Sequence, residues 1–92
     1  MGRYLAELYL TGSGAGNDMI DVAARARAAA EELTDSGTPV RYLRSTFVPE
    51  DETWFLLYEA PAVAVVEGAL ARAGLPSARV AEVMTDDRGR QG

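Results

Sequence analysis

The sequence predicts an α+β domain in the order β-α-β-β-α-β, a four-stranded antiparallel sheet carrying two helices on one face. Three observations predict it. Four short segments are rich in strand-forming residues, and two longer ones repeat apolar residues at three- and four-residue spacing. Glycine, proline or acidic turns separate neighbouring segments. Only Pro49-Glu50-Asp51-Glu52 lies between the second and third strands, which makes them a hairpin. The simplest closure is the split-βαβ, ferredoxin-like sandwich, with strand order 4-1-3-2 and right-handed crossovers.

The first strand is read from Arg3 to Leu10, with Tyr4, Ala6, Leu8 and Leu10 on one face and Arg3, Leu5, Glu7 and Tyr9 on the other. A glycine-rich turn over residues 11–16 follows, and Asn17 or Asp18 is suited to cap the next helix. That helix runs from about Asp18 to Asp35. Met19, Val22, Ala23, Ala26, Ala30 and Leu33 form its apolar stripe. Asp21 and Arg25 are spaced for an i,i+4 ion pair, and Gly37 and Pro39 end the helix. Val40 to Val48 is the second strand and Thr53 to Glu59 the third. Ala60-Pro61 opens the second helix, with proline suited to its first position. Its stripe is Val65, Val66, Ala69, Leu70 and Ala73, and Gly74 and Pro76 end it. Arg79 to Thr85 is the fourth strand. Residues 1–85 form the single domain, and residues 86–92 read as a disordered tail without apolar content.

The third strand departs from simple alternation. Trp54-Phe55-Leu56-Leu57-Tyr58 is apolar on both faces, and such a strand is normally covered on both sides. The helices cover one. The same face of a second chain is the simplest cover for the other, so the sequence predicts a homodimer packed sheet to sheet. Size points the same way, because a domain of 92 residues buries only about 60–65% of its extended-chain surface.

Composition excludes whole classes of chemistry. The chain has no Cys and no His, and all nine basic residues are Arg. Thiolate and imidazole catalysis, Schiff-base formation and the P-loop lysine are therefore absent. Net charge is −5, and no basic stripe appears, so neither nucleic acid nor an anionic membrane surface is an expected partner. No apolar run approaches the ~20 residues of a membrane span. The strand-like start at Arg3 carries no signal-peptide pattern, and a cytoplasmic location is expected.

Two local patterns are weak. Gly12-Ser13-Gly14-Ala15-Gly16 has GxGxG spacing rather than the dinucleotide GxGxxG, and Asp18 would repel a pyrophosphate. The run Glu50-Asp51-Glu52 lacks the ligand spacing of a calcium loop and reads as a solvated turn. Arg25, Arg27 and Arg72 read as solvated helix-surface residues.

The polar residues inside strands are the stronger candidates. Glu7, Arg44, Glu59 and Glu82 are interleaved with Tyr9, Tyr42, Trp54 and Tyr58. Shared on the open sheet face, they would line an aromatic-walled pocket for a small polar-aromatic ligand, with Glu7, Tyr42, Arg44, Trp54 and Tyr58 as its binding residues. The plainer alternative is an ion pair in which Glu7 or Glu82 satisfies Arg44. These assignments rest on strand alternation, which one bulge inverts.

Arg3-Tyr4-Leu5-Ala6-Glu7, Arg41-Tyr42-Leu43-Arg44-Ser45, Tyr58-Glu59-Ala60-Pro61 and Ala73-Gly74-Leu75-Pro76 together resemble a family of small bacterial proteins. The family is classed mainly as a domain of unknown function and includes a nickel-binding homodimer. The resemblance spans about Arg3 to Val83. It implies a ferredoxin-like fold, a homodimer and nickel binding. It also implies His at the position of Arg44 and near Ala69, and Cys at the position of Leu56. None is present, so no metal residue transfers and no cofactor is expected.

The leading expectation is a non-enzymatic dimeric binding or accessory protein. One alternative is a cofactor-independent monooxygenase, isomerase or cyclase of the dimeric α+β barrel type. There Glu7 would act as acid/base, Arg44 would stabilise an enolate, and Tyr58 or Trp54 would pack on the ring. The other alternative is nickel binding by family analogy.

Overall fold

The computed structural model describes residues 1–9, 15–75 and 79–84. Its elements are β1 (Gly2–Tyr9), α1 (Ala15–Asp35), β2 (Arg41–Val48), a 3-10 turn (Pro49–Asp51), β3 (Thr53–Ala60), α2 (Val63–Ala73) and β4 (Arg79–Val83). The sheet order is β2-β3-β1-β4, all antiparallel, which is the predicted ferredoxin-like order read from the other edge. Most of the turn read at residues 11–16 and the tail read at residues 86–92 lie outside the described residues.

The alternation in β1 decides which sheet face meets the helices. Tyr4, Ala6 and Leu8 are buried, and across from them stand Tyr58, Leu56 and Trp54 of β3. Val22, Ala26, Ala29 and Ala30 of α1 and Val66, Ala69, Leu70 and Ala73 of α2 close over this layer. Trp54, Tyr58, Leu8, Leu56 and Val66 are the largest fully buried side chains. Burying Leu8, Leu56 or Val66 contributes about 1.5–3 kcal/mol each. The alanines of α1 are small enough to bring its backbone close to the sheet.

Two helix starts differ from expectation. α1 begins at Ala15, so Asn17 and Asp18 stand within its first turn and not at its cap. α2 begins at Val63 with Ala62 as N-cap, so Pro61 precedes the helix instead of opening it. The ends match. Thr38 N–H donates to Leu33 O (2.9 Å) around Gly37 at φ 103°, and Leu75 N–H donates to Leu70 O (3.0 Å) around Gly74 at φ 72°. Both are left-handed closures that glycine adopts without a Cβ penalty.

Two arginines read as solvated tie elements together instead. Arg25 donates from Nε to Ala73 O (3.1 Å), from Nη2 to Gly74 O (3.0 Å) and from Nη1 to Asp21 Oδ2 (3.1 Å). The last contact is the anticipated i,i+4 pair. Arg72 of α2 reaches Glu32 of α1 at 3.2 Å.

Candidate functional site

The helix-free face of the sheet is built by the other half of the alternation. Register places Val83, Arg3, Glu59 and Arg41 in one row across the strands. Ala81, Leu5, Leu57 and Arg44 form the next, and Arg79, Glu7, Phe55 and Thr46 the third. Leu5, Leu57, Phe55, Ala81 and Val83 are half-buried and make an apolar strip. Ion pairs border it. Arg3 and Arg41 reach Glu59 at 3.9 and 3.4 Å, and Arg79 reaches Glu7 at 3.8 Å. Arg44 stands beside Leu57 with no ion pair among the described residues.

A bulge in β2 produces this arrangement. Tyr42 lies opposite Tyr58, but the register shifts before Arg44, which lies opposite Leu57. Leu43 is the extra residue. In regular alternation with Leu43 paired, Arg44 would share a face with Tyr42. With the bulge, Ser45 and Phe47 follow Tyr42 onto the helix face while Arg44 turns to the open one.

The sheet therefore divides the five residues read as one pocket. Glu7 and Arg44 are on the open face; Tyr42, Trp54 and Tyr58 are on the helix face. Trp54 and Tyr58 are fully buried, with Phe47 packed on Trp54 (centroids 4.8 Å) and Tyr42 edge-on to Tyr58 (5.7 Å). The Trp54 indole N–H and the Tyr58 hydroxyl are buried without hydrogen-bond partners among the described residues. Burial, with Tyr42 adding to it, raises the Tyr58 phenol well above its ordinary range. Glu7 and Arg44 do not pair: β3 separates their strands, and Glu7 is held by Arg79. Glu82 lies opposite Tyr4 at the sheet's edge, again on the helix side. The aromatic wall is thus core, and the apolar strip of the open face is aliphatic apart from Phe55. Leu5 and Leu57 were the residues that sequence reasoning passed over. The signal was available in the apolar outer half of β3, but Arg44 could not be placed beside them without knowing the bulge.

A sequence profile described as "Nickel responsive protein SCO4226-like" matches residues 9–83. The chain belongs to the SCO4226-like family. The crystal structure of SCO4226 from Streptomyces coelicolor A3(2) superposes on it with TM-score 0.63, 20% identity, and coverage of 91% of this chain and 98% of that one. At that identity the likeness is one of fold. No curated protein matches the chain.

The SCO4226-like description raises nickel, and the donor set here does not fit it. With no His and no Cys, only oxygen ligands remain, whereas borderline metals favour imidazole and thiolate. Among the described residues no group of three or more acidic side chains converges on one point. The positions at which the resemblance implied ligands also fail to meet. Leu56 and Ala69 are fully buried between sheet and helices, while Arg44 is on the opposite sheet face. No helix among the described residues is long and apolar enough to cross a membrane.

Proposed function

We propose that this SCO4226-like chain is a homodimeric binding or accessory protein without a nickel centre, working through the open face of its sheet. The observation that carries the reading is Arg44, a guanidinium without an ion pair among the described residues, beside the half-buried Leu5–Leu57–Phe55 strip. An apolar floor beside a cation without an ion pair among the described residues suits a small apolar or aromatic molecule bearing an anionic group. A second copy packed on the same face excludes water from that strip and strengthens the charge interaction with Arg44. The cover is self-complementary in charge type, since each copy offers Glu7 and Glu59 as well as arginines.

The acid/base reading gains nothing from this geometry. Glu7 is paired with Arg79, and the rings assigned to hold a substrate over it lie across the sheet.

Native mass spectrometry of freshly purified protein tests both parts. A dimer mass is expected, and a strictly monomeric mass at micromolar concentration sinks the dimer. Titration with 8-anilinonaphthalene-1-sulfonate, an aromatic anion, should give saturable fluorescence that Arg44→Gln weakens roughly tenfold, the loss of about 1.4 kcal/mol. Unchanged affinity in Arg44→Gln removes Arg44 from the site. Calorimetry with nickel should give no saturable heat at neutral pH; saturable binding would restore the metal reading.

A further inference from the structure

A concavity lies away from the open-face strip, between the C-terminal half of α1 and the edge strand β2. It encloses about 320 Å³ and is lined by Arg27, Glu31, Thr34, Asp35, Arg41 and Tyr42 among others. We propose that this groove binds a small zwitterion whose charges are separated by several bonds, an ω-amino acid or a dipeptide-sized molecule.

Charges of both signs line this groove without neutralising one another. Arg27 and Glu31 are i,i+4 neighbours, yet no ion pair joins them. The Arg27 guanidinium instead sits 5.3 Å over the Tyr42 ring. That ring is fixed from behind by its edge-on contact with buried Tyr58. Arg27 is thus held on one side of the groove by a cation–π contact that leaves its N–H donors free for an anion. Arg41 also lines the groove, while its guanidinium pairs with Glu59 on the open face.

The other pole is negative for two reasons. Glu31 and Asp35 stand on the last turns of α1, where the helix dipole is also negative, and no basic residue occupies the final turn. Arg27 and Glu31 are about 6 Å apart along the axis, and Arg27 and Asp35 about 12 Å. Reaching from Arg27 to the Asp35 end of the groove takes a zwitterion longer than an α-amino acid. The groove is also preformed. The Thr34 hydroxyl donates to Val40 O (2.9 Å) and accepts from Val40 N–H (3.2 Å), fastening the end of α1 to the start of β2.

The test is a probe comparison on the intact protein, followed by amide chemical shifts. Saturable shifts centred on residues 27–35 and 41–42 are expected with 6-aminohexanoate. Hexanoate and hexylamine, each carrying one of its charges, should bind roughly tenfold more weakly or not at all. Arg27→Gln and the pair Glu31→Gln with Asp35→Asn should each weaken 6-aminohexanoate, while Glu67→Gln on the exposed side of α2 should not. All four positions are exposed, and an unchanged spectrum of the free variants reports an intact fold. Absence of saturation, equal binding of a single-charge probe, or shifts centred on β1 and β3 each overturns the proposal. Because this reading rests on Arg27, Glu31 and Asp35 and the other on Arg44, Leu5 and Leu57, failure here leaves the Arg44 reading standing.

Discussion

Arg25 closes the C-terminal end of α2 with two carbonyl bonds while holding Asp21 on its own helix. Its side chain is 43% exposed, so the ion pair adds little, and the bonds to the Ala73 and Gly74 carbonyls carry most of the effect. Arg25→Ala should lower stability by about 1–2 kcal/mol, read as a shift in urea midpoint. Arg25→Lys should recover only part, because an ammonium lacks the planar fork that serves the three acceptors. Tyr58 behaves oppositely. Its hydroxyl is buried without a partner among the described residues, so Tyr58→Phe should leave stability unchanged or raise it by up to about 3 kcal/mol. The sign of the pH effect follows from the raised phenol. Below the ordinary tyrosine value of about 10 both states hold the proton and stability is full. Above it the unfolded chain releases the proton while the folded chain keeps it, so stability falls as pH rises. An alkaline unfolding titration should show this loss, and Tyr58→Phe should reduce its slope.

At the scale of elements, turn chemistry and the β2 bulge matter most. Glu52 follows the 3-10 turn at φ 49°, ψ 41°, left-handed backbone occupied by a side chain without that preference. Glu52→Gly should stabilise by about 0.5–1 kcal/mol in thermal unfolding, the relief of αL strain exceeding the added unfolded-state freedom. Gly74→Ala should cost about 1 kcal/mol or more, since φ is positive and the new Cβ would meet Arg25 Nη2 at 3.1 Å. The sequence made the glycine stop readable because Gly-Leu-Pro follows an apolar stripe. It hid the bulge, because Arg41-Tyr42-Leu43-Arg44-Ser45 alternates as acceptably in one register as in the other. Pairing with β3 chooses the register that buries Phe47 against Trp54 and Tyr42 against Tyr58.

At the scale of the whole molecule, one sheet face is closed by helices and the other presents aliphatic side chains inside a frame of ion pairs. If that frame surrounds a self-association surface, Leu57→Glu should turn the dimer into a monomer in sedimentation velocity. Its far-UV spectrum should stay unchanged, because Leu57 points away from the helix-covered core. Persistence of the dimer would assign the contact to another surface, such as the β2 or β4 edge.

The amino-acid order by itself determined the element types, the strand order and the inner face of the sheet. Those depend on local periodicity and on short connections, both of which are written in neighbouring residues. Family membership was legible for the same reason, through strings such as Tyr58-Glu59-Ala60-Pro61. The tertiary structure alone decided how Glu7, Tyr42, Arg44, Trp54 and Tyr58 are divided between faces. It also decided that Arg27 rests on Tyr42 and that Arg25 closes α2 from another helix. These depend on a one-residue register shift and on contacts between residues far apart in the chain. Neither has a local periodicity to announce it.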